Sequence, residues 1–339
     1  MSFLSEARWL SCVAATLALV HPCAQAGGVR CDALGGAFVA LAEDTTAWSA
    51  NPAGPIGNRD REGNSVLGVT AEFSSISSQQ EDGNWHDPDT EFTAFAAQVG
   101  SFGLFYERDA FTPIYDTGRE LAGFEQSTLG LALGTRLGER VTVGATLDMM
   151  SLDSPDGSMA SEGTGFSLGM LWQAVDWQKA VGSTRSYFGL RLGGAYRSEV
   201  IGDEAIGEDD PMLRGSQYSL GTAANVAFLS DYISWDLNLA LQYDQFDSLP
   251  NLVAMEESLS RLAVGVEWNW LLTTNTTLSL RAGQQQYETE QGLRSDGASS
   301  FGIGLGYKNF AIDFASSEQV LPKQYSGTWH HGVAISAQF

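Results

Sequence analysis

Residues 165–169, Gly-Phe-Ser-Leu-Gly, match the G-x-S-x-G pattern that surrounds the nucleophilic serine of many hydrolases. In those enzymes a strained turn between a strand and a helix exposes the serine. Ser167 instead lies in a segment that alternates apolar with small residues, which is typical of a β-strand. Beyond its first 26 residues the chain has three histidines, His86, His330 and His331, and the last two point to opposite faces of one predicted strand. We therefore expect no enzyme, with a lipid hydrolase built on Ser167 as the alternative.

Two acidic segments could supply oxygen ligands to Ca²⁺. They are EDGNWHDPDTE at residues 81–91 and GDEAIGEDD at residues 202–210. Neither has the ligand spacing of an EF-hand loop, so we interpret both as solvated loops and predict no metal site and no cofactor. The chain has 41 acidic residues against 18 Lys and Arg residues. Such a charge gives it no electrostatic means of binding nucleic acid.

Charged residues also occur singly on the polar faces of predicted strands, where they could form ion pairs and hydrogen bonds. Most of them alternate with apolar neighbours, as Glu267 does with Val266 and Trp268. We expect these side chains to face one shared lumen and to position another part of the chain there, without taking part in catalysis. The seven residues are Asp148, Arg191, Asp236, Arg261, Glu267, Arg281 and Asp313.

The elements that carry these residues are β-strands, because apolar residues recur at every second position from about residue 65 onward. Most of the segments are long enough for a tilted strand to cross a bilayer, which takes ~9–11 residues. Long and short connections alternate between them, with 176–185 as an exceptionally long member of the short set. The fourteen predicted strands are 65–76, 91–99, 102–109, 126–137, 140–152, 163–175, 186–199, 217–228, 234–245, 260–270, 274–284, 298–307, 309–317 and 328–339.

This pattern predicts an all-β fold, a 14-stranded antiparallel transmembrane β-barrel with a small N-terminal plug. We place it in the outer membrane of a Gram-negative bacterium, in contact with lipid and lipopolysaccharide. Long loops outside and tight turns in the periplasm are expected of such a barrel, whereas a soluble β-sandwich has no reason to alternate them. The chain ends in Phe339, after apolar residues at alternate positions. Such an end resembles the signal that the barrel-assembly machinery recognises.

Residues 1–26 have the organisation of a secretory signal peptide. Arg8 precedes an uncharged and mostly apolar run at 9–20, and Ala24-Gln25-Ala26 provides a cleavage site of small residues. As a helix that run would rise about 18 Å, which is less than the ~30 Å hydrocarbon core of a bilayer. We therefore expect export to the periplasm and cleavage after Ala26, which leaves Cys31 as the only cysteine.

The polar face of the predicted strands has many glycines, and a strand glycine often marks the close approach of another stretch of backbone. We therefore expect a plugged lumen rather than an open pore lined by long polar side chains. Residues 27–64 precede the first strand, lack any alternation and have no Lys-Ser/Thr ending of a phosphate-binding loop. We assign residues 27–64 to the plug and residues 65–339 to the barrel. The lumen glycines include Gly130, Gly134, Gly189, Gly193, Gly221, Gly302, Gly304 and Gly306.

Within the plug, the stretches Ala33-Leu34-Gly35-Gly36-Ala37 and Asn51-Pro52-Ala53-Gly54 resemble the N-terminal hatch of the FadL-type superfamily of outer-membrane barrels. The resemblance implies fourteen strands and a hatch whose movement opens a path for a hydrophobic ligand. Pro55 stands where the superfamily commonly has Leu or Met, and the loops are acidic rather than apolar. These departures make the chain more similar to the shorter PorV-like branch. The hatch residues would be Gly35, Gly36, Asn51, Pro52, Ala53 and Gly54.

The expected function is therefore gated passage of small hydrophobic compounds across the outer membrane. The alternative, implied by the PorV-like branch, is a barrel that docks or shuttles secreted or surface proteins. The two differ in the surface that they need, because passage requires a continuous apolar path and docking requires only an exposed patch.

Overall fold

The computed structural model describes residues 27–34, 36–42, 44–45, 47–55, 67–77, 91–111, 124–153, 160–203, 212–230, 233–247, 259–289, 297–318 and 329–339. The predicted signal peptide and the hatch residue Gly35 lie outside these ranges, as do residues 81–90 and 204–210 of the two acidic segments. In the described part of the chain, no helix is long and apolar enough to cross a membrane.

One short helix precedes a chain of strands. The elements are α1 (Gly27–Ala33), β1 (Leu67–Ser77), β2 (Glu91–Val99), β3 (Phe102–Phe111), β4 (Phe124–Leu137), β5 (Val141–Asp153), β6 (Ala160–Val181), β7 (Thr184–Arg197), β8 (Val200–Ile201), β9 (Met212–Arg214), β10 (Gln217–Leu229), β11 (Ser234–Phe246), β12 (Leu259–Thr273), β13 (Thr276–Thr289), β14 (Ala298–Tyr307), β15 (Phe310–Glu318) and β16 (Trp329–Gln338).

All strands except β8 and β9 form one closed antiparallel barrel of fourteen strands, which confirms the predicted fold. Each strand pairs with its neighbours along the chain, and β7 pairs directly with β10. The barrel closes where β1 meets β16, in a register that runs from Gly68 opposite Gln338 to Ser77 opposite Trp329. Leu67 and Phe339 extend this seam by exchanging two backbone hydrogen bonds of 2.9 and 2.8 Å.

The outer surface of the barrel is apolar because every second side chain of the wall points away from the lumen. In β14, buried and exposed residues alternate along the whole strand. Phe301, Ile303 and Leu305 are about half exposed, whereas the glycines between them are buried. Large apolar side chains in such numbers on an outer surface are stable in lipid and not in water. The protein is thus a transmembrane barrel of the outer-membrane type.

Aromatic side chains gather near the turn that connects β10 with β11. Trp235 packs against Phe228 and Trp268, with ring centroids 6.2 and 6.4 Å apart, and Trp268 lies 4.1 Å from Trp270. Aromatic girdles of this kind mark the two membrane–water interfaces of outer-membrane barrels. This end of the barrel therefore lies at an interface.

The sequence-based prediction of a long connection at 176–185 is wrong. β6 continues to Val181 and β7 begins at Thr184, so the turn holds only two residues, of which Gly182 has a φ of 63°. The cause is a β-bulge between Gln173 and Val175. One extra residue in a strand reverses which positions face the lumen. The alternation therefore changes phase at the bulge, so the pattern of one strand ends there in the sequence although the strand continues.

Candidate functional site: the plugged lumen

The N-terminal segment lies inside the barrel, because its described residues contact strands all around the wall. A Cβ atom added at Gly302 of β14 would lie 2.5 Å from the Ala33 Cβ atom, and one at Gly265 of β12 would lie 2.8 Å from the Leu34 carbonyl oxygen. On the opposite side, glycines of β3, β5, β6 and β7 would meet the same segment equally closely. We call the described residues between 27 and 55 the plug. At these wall positions, only glycine leaves room for the plug.

Asn51 links two stretches of the plug, at Val39 and at Ala53, to the wall. Its side-chain amide donates hydrogen bonds to the carbonyl oxygens of Val39 in the plug (2.8 Å) and Met170 in β6 (3.2 Å). Its side-chain oxygen accepts a hydrogen bond of 3.1 Å from the Ala53 N–H group. Pro52 lies against Gly144 of β5. The turn at 51–54 thus attaches the plug to β5 and β6.

The centre of the contact between plug and wall is a buried ionic cluster around Glu267 of β12. Arg30 of α1 binds this carboxylate through two atoms, with Nε–Oε2 and Nη2–Oε1 distances of 2.8 and 2.7 Å. Arg281 of β13 donates from Nε to Glu267 Oε2 at 2.7 Å and pairs through Nη1 with Asp313 of β15. Arg30 also lies 3.5 Å from Asp44 of the plug. Each arginine therefore lies between two carboxylates, and one carboxylate is common to both.

Three further polar side chains complete this cluster. Asn238 and Asn269 each donate a hydrogen bond of 3.1 Å to Glu267 Oε1. Both amides also donate to Asp236, at 3.1 and 2.9 Å. Asp236 is thus joined to Glu267 through neutral amides, which lets the two carboxylates share one region of the lumen.

A second polar group holds the middle of the plug. Gln242 of β11 accepts hydrogen bonds from the backbone N–H groups of Phe38 and Val39 at 2.8 and 2.7 Å. The amide of Gln242 donates to Asp244, and Arg261 binds Asp244 at 2.7 Å. A Cβ atom at Gly36, whose φ is 81°, would collide with the Arg261 guanidinium group. We call Gln242, with its two bonds to the plug backbone, the Gln242 clamp. Arg261 orients this clamp through Asp244 and lies directly against the plug.

The remaining two predicted lumen residues, Arg191 and Asp148, form hydrogen bonds with other strands. Arg191 of β7 donates from Nε to the side-chain oxygen of Gln173 at 3.3 Å. Asp148 of β5 accepts hydrogen bonds from Ser167 at 2.9 Å and from Arg214 at 2.7 Å. Ser167 lies within β6 and points into the lumen, so the G-x-S-x-G match has a strand in place of the strand–turn–helix setting of a nucleophile.

The β8–β9 hairpin folds into the lumen, although the sequence predicts a solvated loop at 200–216. Val200 and Leu213 are 1 % exposed. Val200 lies against Gly163 and Gly165 of β6. Arg214 fixes the hairpin through Asp148 and through a hydrogen bond of 3.0 Å to the Ser198 carbonyl oxygen. The lumen thus holds a second insert besides the plug.

One side of the plug meets the wall mainly through apolar side chains, with one hydrogen bond of 2.6 Å from the Gln98 amide of β2 to the Pro55 carbonyl oxygen. Trp48 is fully buried and packs with Ala96 of β2, Phe105 of β3 and Ala132 of β4. The indole ring also covers Gly103. The plug is therefore amphipathic, with ionic contacts to β12 and mainly apolar contacts to β2–β4.

Cys31 of α1 is a free cysteine. Burial, together with the neighbouring Asp32 carboxylate, raises the pKa of its thiol to about 12. The thiol therefore stays protonated, and unreactive, at neutral pH while the plug is in place. Among the described residues, no group of His, Cys, Asp and Glu side chains could hold a metal ion.

Arg30, Glu72, Gln242 and Arg214 contribute to the lumen although they are not among the residues predicted from the sequence. Glu72 and Gln242 alternate with apolar residues in their strands, so the rule that found Glu267 applied to them as well. Arg30 stands alone as a charge among small residues before Asp32, which was a signal for a buried ion pair. Arg214 gave no local signal, because the strand that carries it has three residues.

No protein-family model matches the sequence, and no curated protein matches it. The structure is similar to that of the Ralstonia pickettii toluene transporter TbuX, with a TM-score of 0.50 and 14 % identity over 93 % of this chain and 98 % of that chain. It is similar to the CymD monoaromatic hydrocarbon channel, with a TM-score of 0.50 and 12 % identity over 92 % and 96 %. A Pseudomonas aeruginosa FadL homologue matches with a TM-score of 0.46 and 14 % identity over 94 % and 98 %. The first two similarities show that the chain has the fold of these outer-membrane barrels.

Proposed function

We propose that the protein lets small hydrophobic compounds cross the outer membrane, and that displacement of the plug opens their path. The observation that carries the proposal is the amphipathic plug, which is tied to β12 by ions and meets β2–β4 through Trp48 and its apolar neighbours. The fold supports it, since barrels of this fold include a toluene transporter and a monoaromatic hydrocarbon channel.

The two sides of the plug suggest where it separates from the wall. An apolar compound competes with Trp48 for the apolar surface of Phe105 and Ala132, but it offers nothing that replaces a carboxylate beside Arg30. The hydrophobic stabilisation of such a contact grows with the apolar area that it buries and does not depend on the orientation of the groups. The apolar interface is therefore exchangeable, whereas the ionic one keeps the plug attached.

The lumen residues have positioning roles in this proposal. Glu267, Arg281 and Asp313 fix Arg30, and Asp244 with Arg261 orients the Gln242 clamp. The hatch residues Gly36, Asn51, Pro52, Ala53 and Gly54 give the plug its shape, and none of these groups performs a reaction. A ligand shifts the closed population toward the open one only as far as it binds the open state better.

A disulfide that locks α1 to the wall tests the proposal. The Val29 Cβ atom lies 3.8 Å from the position of a Cβ atom at Gly332 of β16, which is the mean Cβ–Cβ distance in disulfides. We expect Val29→Cys with Gly332→Cys, in a Cys31→Ser background, to block uptake of an aromatic hydrocarbon into liposomes when oxidised and to restore it when reduced. Each single cysteine variant is the control. Equal uptake by the oxidised and reduced double variant would contradict plug displacement.

Docking of secreted or surface proteins remains the alternative prediction. It depends on the extracellular loops, and residues 81–90 and 204–210 of the acidic ones lie outside the described residues. Nothing in the described part of the barrel favours docking over passage.

A further inference from the structure

Glu72, on the lumen face of β1, is a buried carboxyl group that has no basic partner within the described part of the chain. Its side chain is 6 % exposed and accepts hydrogen bonds from the backbone N–H groups of Gly28 at 3.0 Å and Val29 at 3.5 Å. Among the described residues, no Lys, Arg or His side chain forms an ion pair with it. The charged groups that interact most with it are also acidic, namely Asp32, Asp44 and Glu107.

Two of the acidic neighbours have partners of their own. Asp32 lies 3.3 Å from His330 of β16, and Asp44 lies 3.5 Å from Arg30. Burying an ionised carboxylate without a counter-ion is costly, and two backbone N–H groups offset only part of that cost. A carboxyl group in such a site either stays protonated or needs one more positive charge, here close to Gly28.

Removal of the predicted signal peptide (residues 1–26, the leader) supplies a cation at this place, namely the new N-terminal ammonium group. Cleavage after Ala26 makes Gly27 the first residue of the mature chain, and Gly27 is also the first residue of α1. Its nitrogen is one residue from the Gly28 N–H group that already donates to Glu72. Neither residue has a side chain, and a Cβ atom at Gly28 would collide with the Glu72 carboxylate. The chain terminus can therefore approach the carboxylate closely.

We propose that removal of the leader creates the counter-ion of Glu72, so that the new α-ammonium group of Gly27 pairs with the Glu72 carboxylate and fixes the start of the plug to β1. A signal peptidase hydrolyses the Ala26–Gly27 peptide bond with one water molecule. Ala26 leaves with the leader as a carboxylate, and Gly27 keeps an amine that takes up a proton. Before cleavage the same nitrogen is a neutral amide, so the precursor has no such ion pair.

The pairing has a direct chemical signature. An unperturbed α-amino group has a pKa of about 7.7–8.0. A buried carboxylate beside it favours the ammonium form and raises that pKa. We expect the pKa of the Gly27 amine to lie at least about one unit above this range, so that only about a fifth as much free amine is present at pH 8.

The test uses the full chain, expressed with its leader and purified from the outer membrane. Mass spectrometry of the N-terminal peptide identifies the first residue, and the rate of acetylation of its α-amine by acetic anhydride is measured against pH. We expect Glu72→Gln to move the midpoint of this profile down by at least about one unit and to speed labelling at least about fivefold at pH 8. Glu139→Gln, in an exposed turn, is the matched control and should leave the profile unchanged.

A second variant separates pairing from misfolding. Insertion of Ala-Ser between Ala26 and Gly27 keeps Glu72 and moves the amine away from it, so the midpoint should fall as it does in Glu72→Gln. Heat-modifiable migration on gels reports that each variant is folded. Identical profiles for the wild-type protein and folded Glu72→Gln would overturn the proposal, and so would a mature chain that starts at another residue.

Discussion

At the scale of single residues, Glu267 joins the plug to the wall, since it binds Arg30 of α1 and Arg281 of β13 together. Glu267→Gln would leave each arginine with one carboxylate, Asp44 or Asp313. Removing one member of a buried ion pair costs about 3–5 kcal/mol, and the remaining carboxylates reduce that cost here. We expect a loss of up to about 3 kcal/mol in stability and a higher ion conductance in planar bilayers.

The control for this prediction is Glu162→Gln, which changes an exposed carboxylate of β6. The double variant Arg30→Met with Glu267→Gln should cost less than the sum of the two single changes, because each removes the same contact. Additive effects and an unchanged conductance would show that the cluster does not hold the plug. Sequence reasoning placed Glu267 and Arg281 on the lumen face, since facing follows from local alternation. It did not give the pairing with Arg30, which joins residues 237 positions apart.

At the scale of elements, the β8–β9 hairpin is held in the lumen by Arg214. Arg214→Met would remove the ion pair with Asp148 and the hydrogen bond to the Ser198 carbonyl oxygen. We expect the hairpin to leave its place against β6 more often. A cysteine at Val200, in a Cys31→Ser background, should then react at least about tenfold faster with a membrane-impermeant maleimide. That change corresponds to about 1.4 kcal/mol, which is close to the lower end of the range for a charged hydrogen bond. Arg136→Met, near a turn, is the control, and equal rates in both variants would refute the anchoring role.

The barrel strands and the β8–β9 hairpin differ in how well the sequence predicts them. The barrel strands were predictable because alternation over nine or more residues is a strong signal. The hairpin was not, since strands of two and three residues have no period and the acidic residues beside them indicate a solvated loop. The end of β6 was misread for a related reason, because the bulge after Gln173 reverses the phase of the pattern without breaking the strand.

At the scale of the whole molecule, Cys31 reports whether the plug is in place. With the pKa of its thiol raised to about 12, roughly one molecule in ten thousand carries a thiolate at pH 8. A thiol in water, with a pKa of about 8.5, is roughly a quarter ionised at that pH. Since the thiolate is the reactive form, displacement of the plug should speed alkylation. We expect an aromatic hydrocarbon added to the protein in detergent to increase the rate of Cys31 alkylation by iodoacetamide at least about tenfold.

The control for this prediction is the alkylation rate of a cysteine outside the lumen. Ser183→Cys, in the exposed turn between β6 and β7 and in a Cys31→Ser background, should react at one rate with and without the hydrocarbon. Glu267→Gln should label faster at Cys31 even without hydrocarbon, because it weakens the attachment of α1 to β12. If the hydrocarbon leaves Cys31 as unreactive as before while it still crosses the membrane, then it passes beside a fixed plug, between Trp48 and the apolar wall of β2–β4.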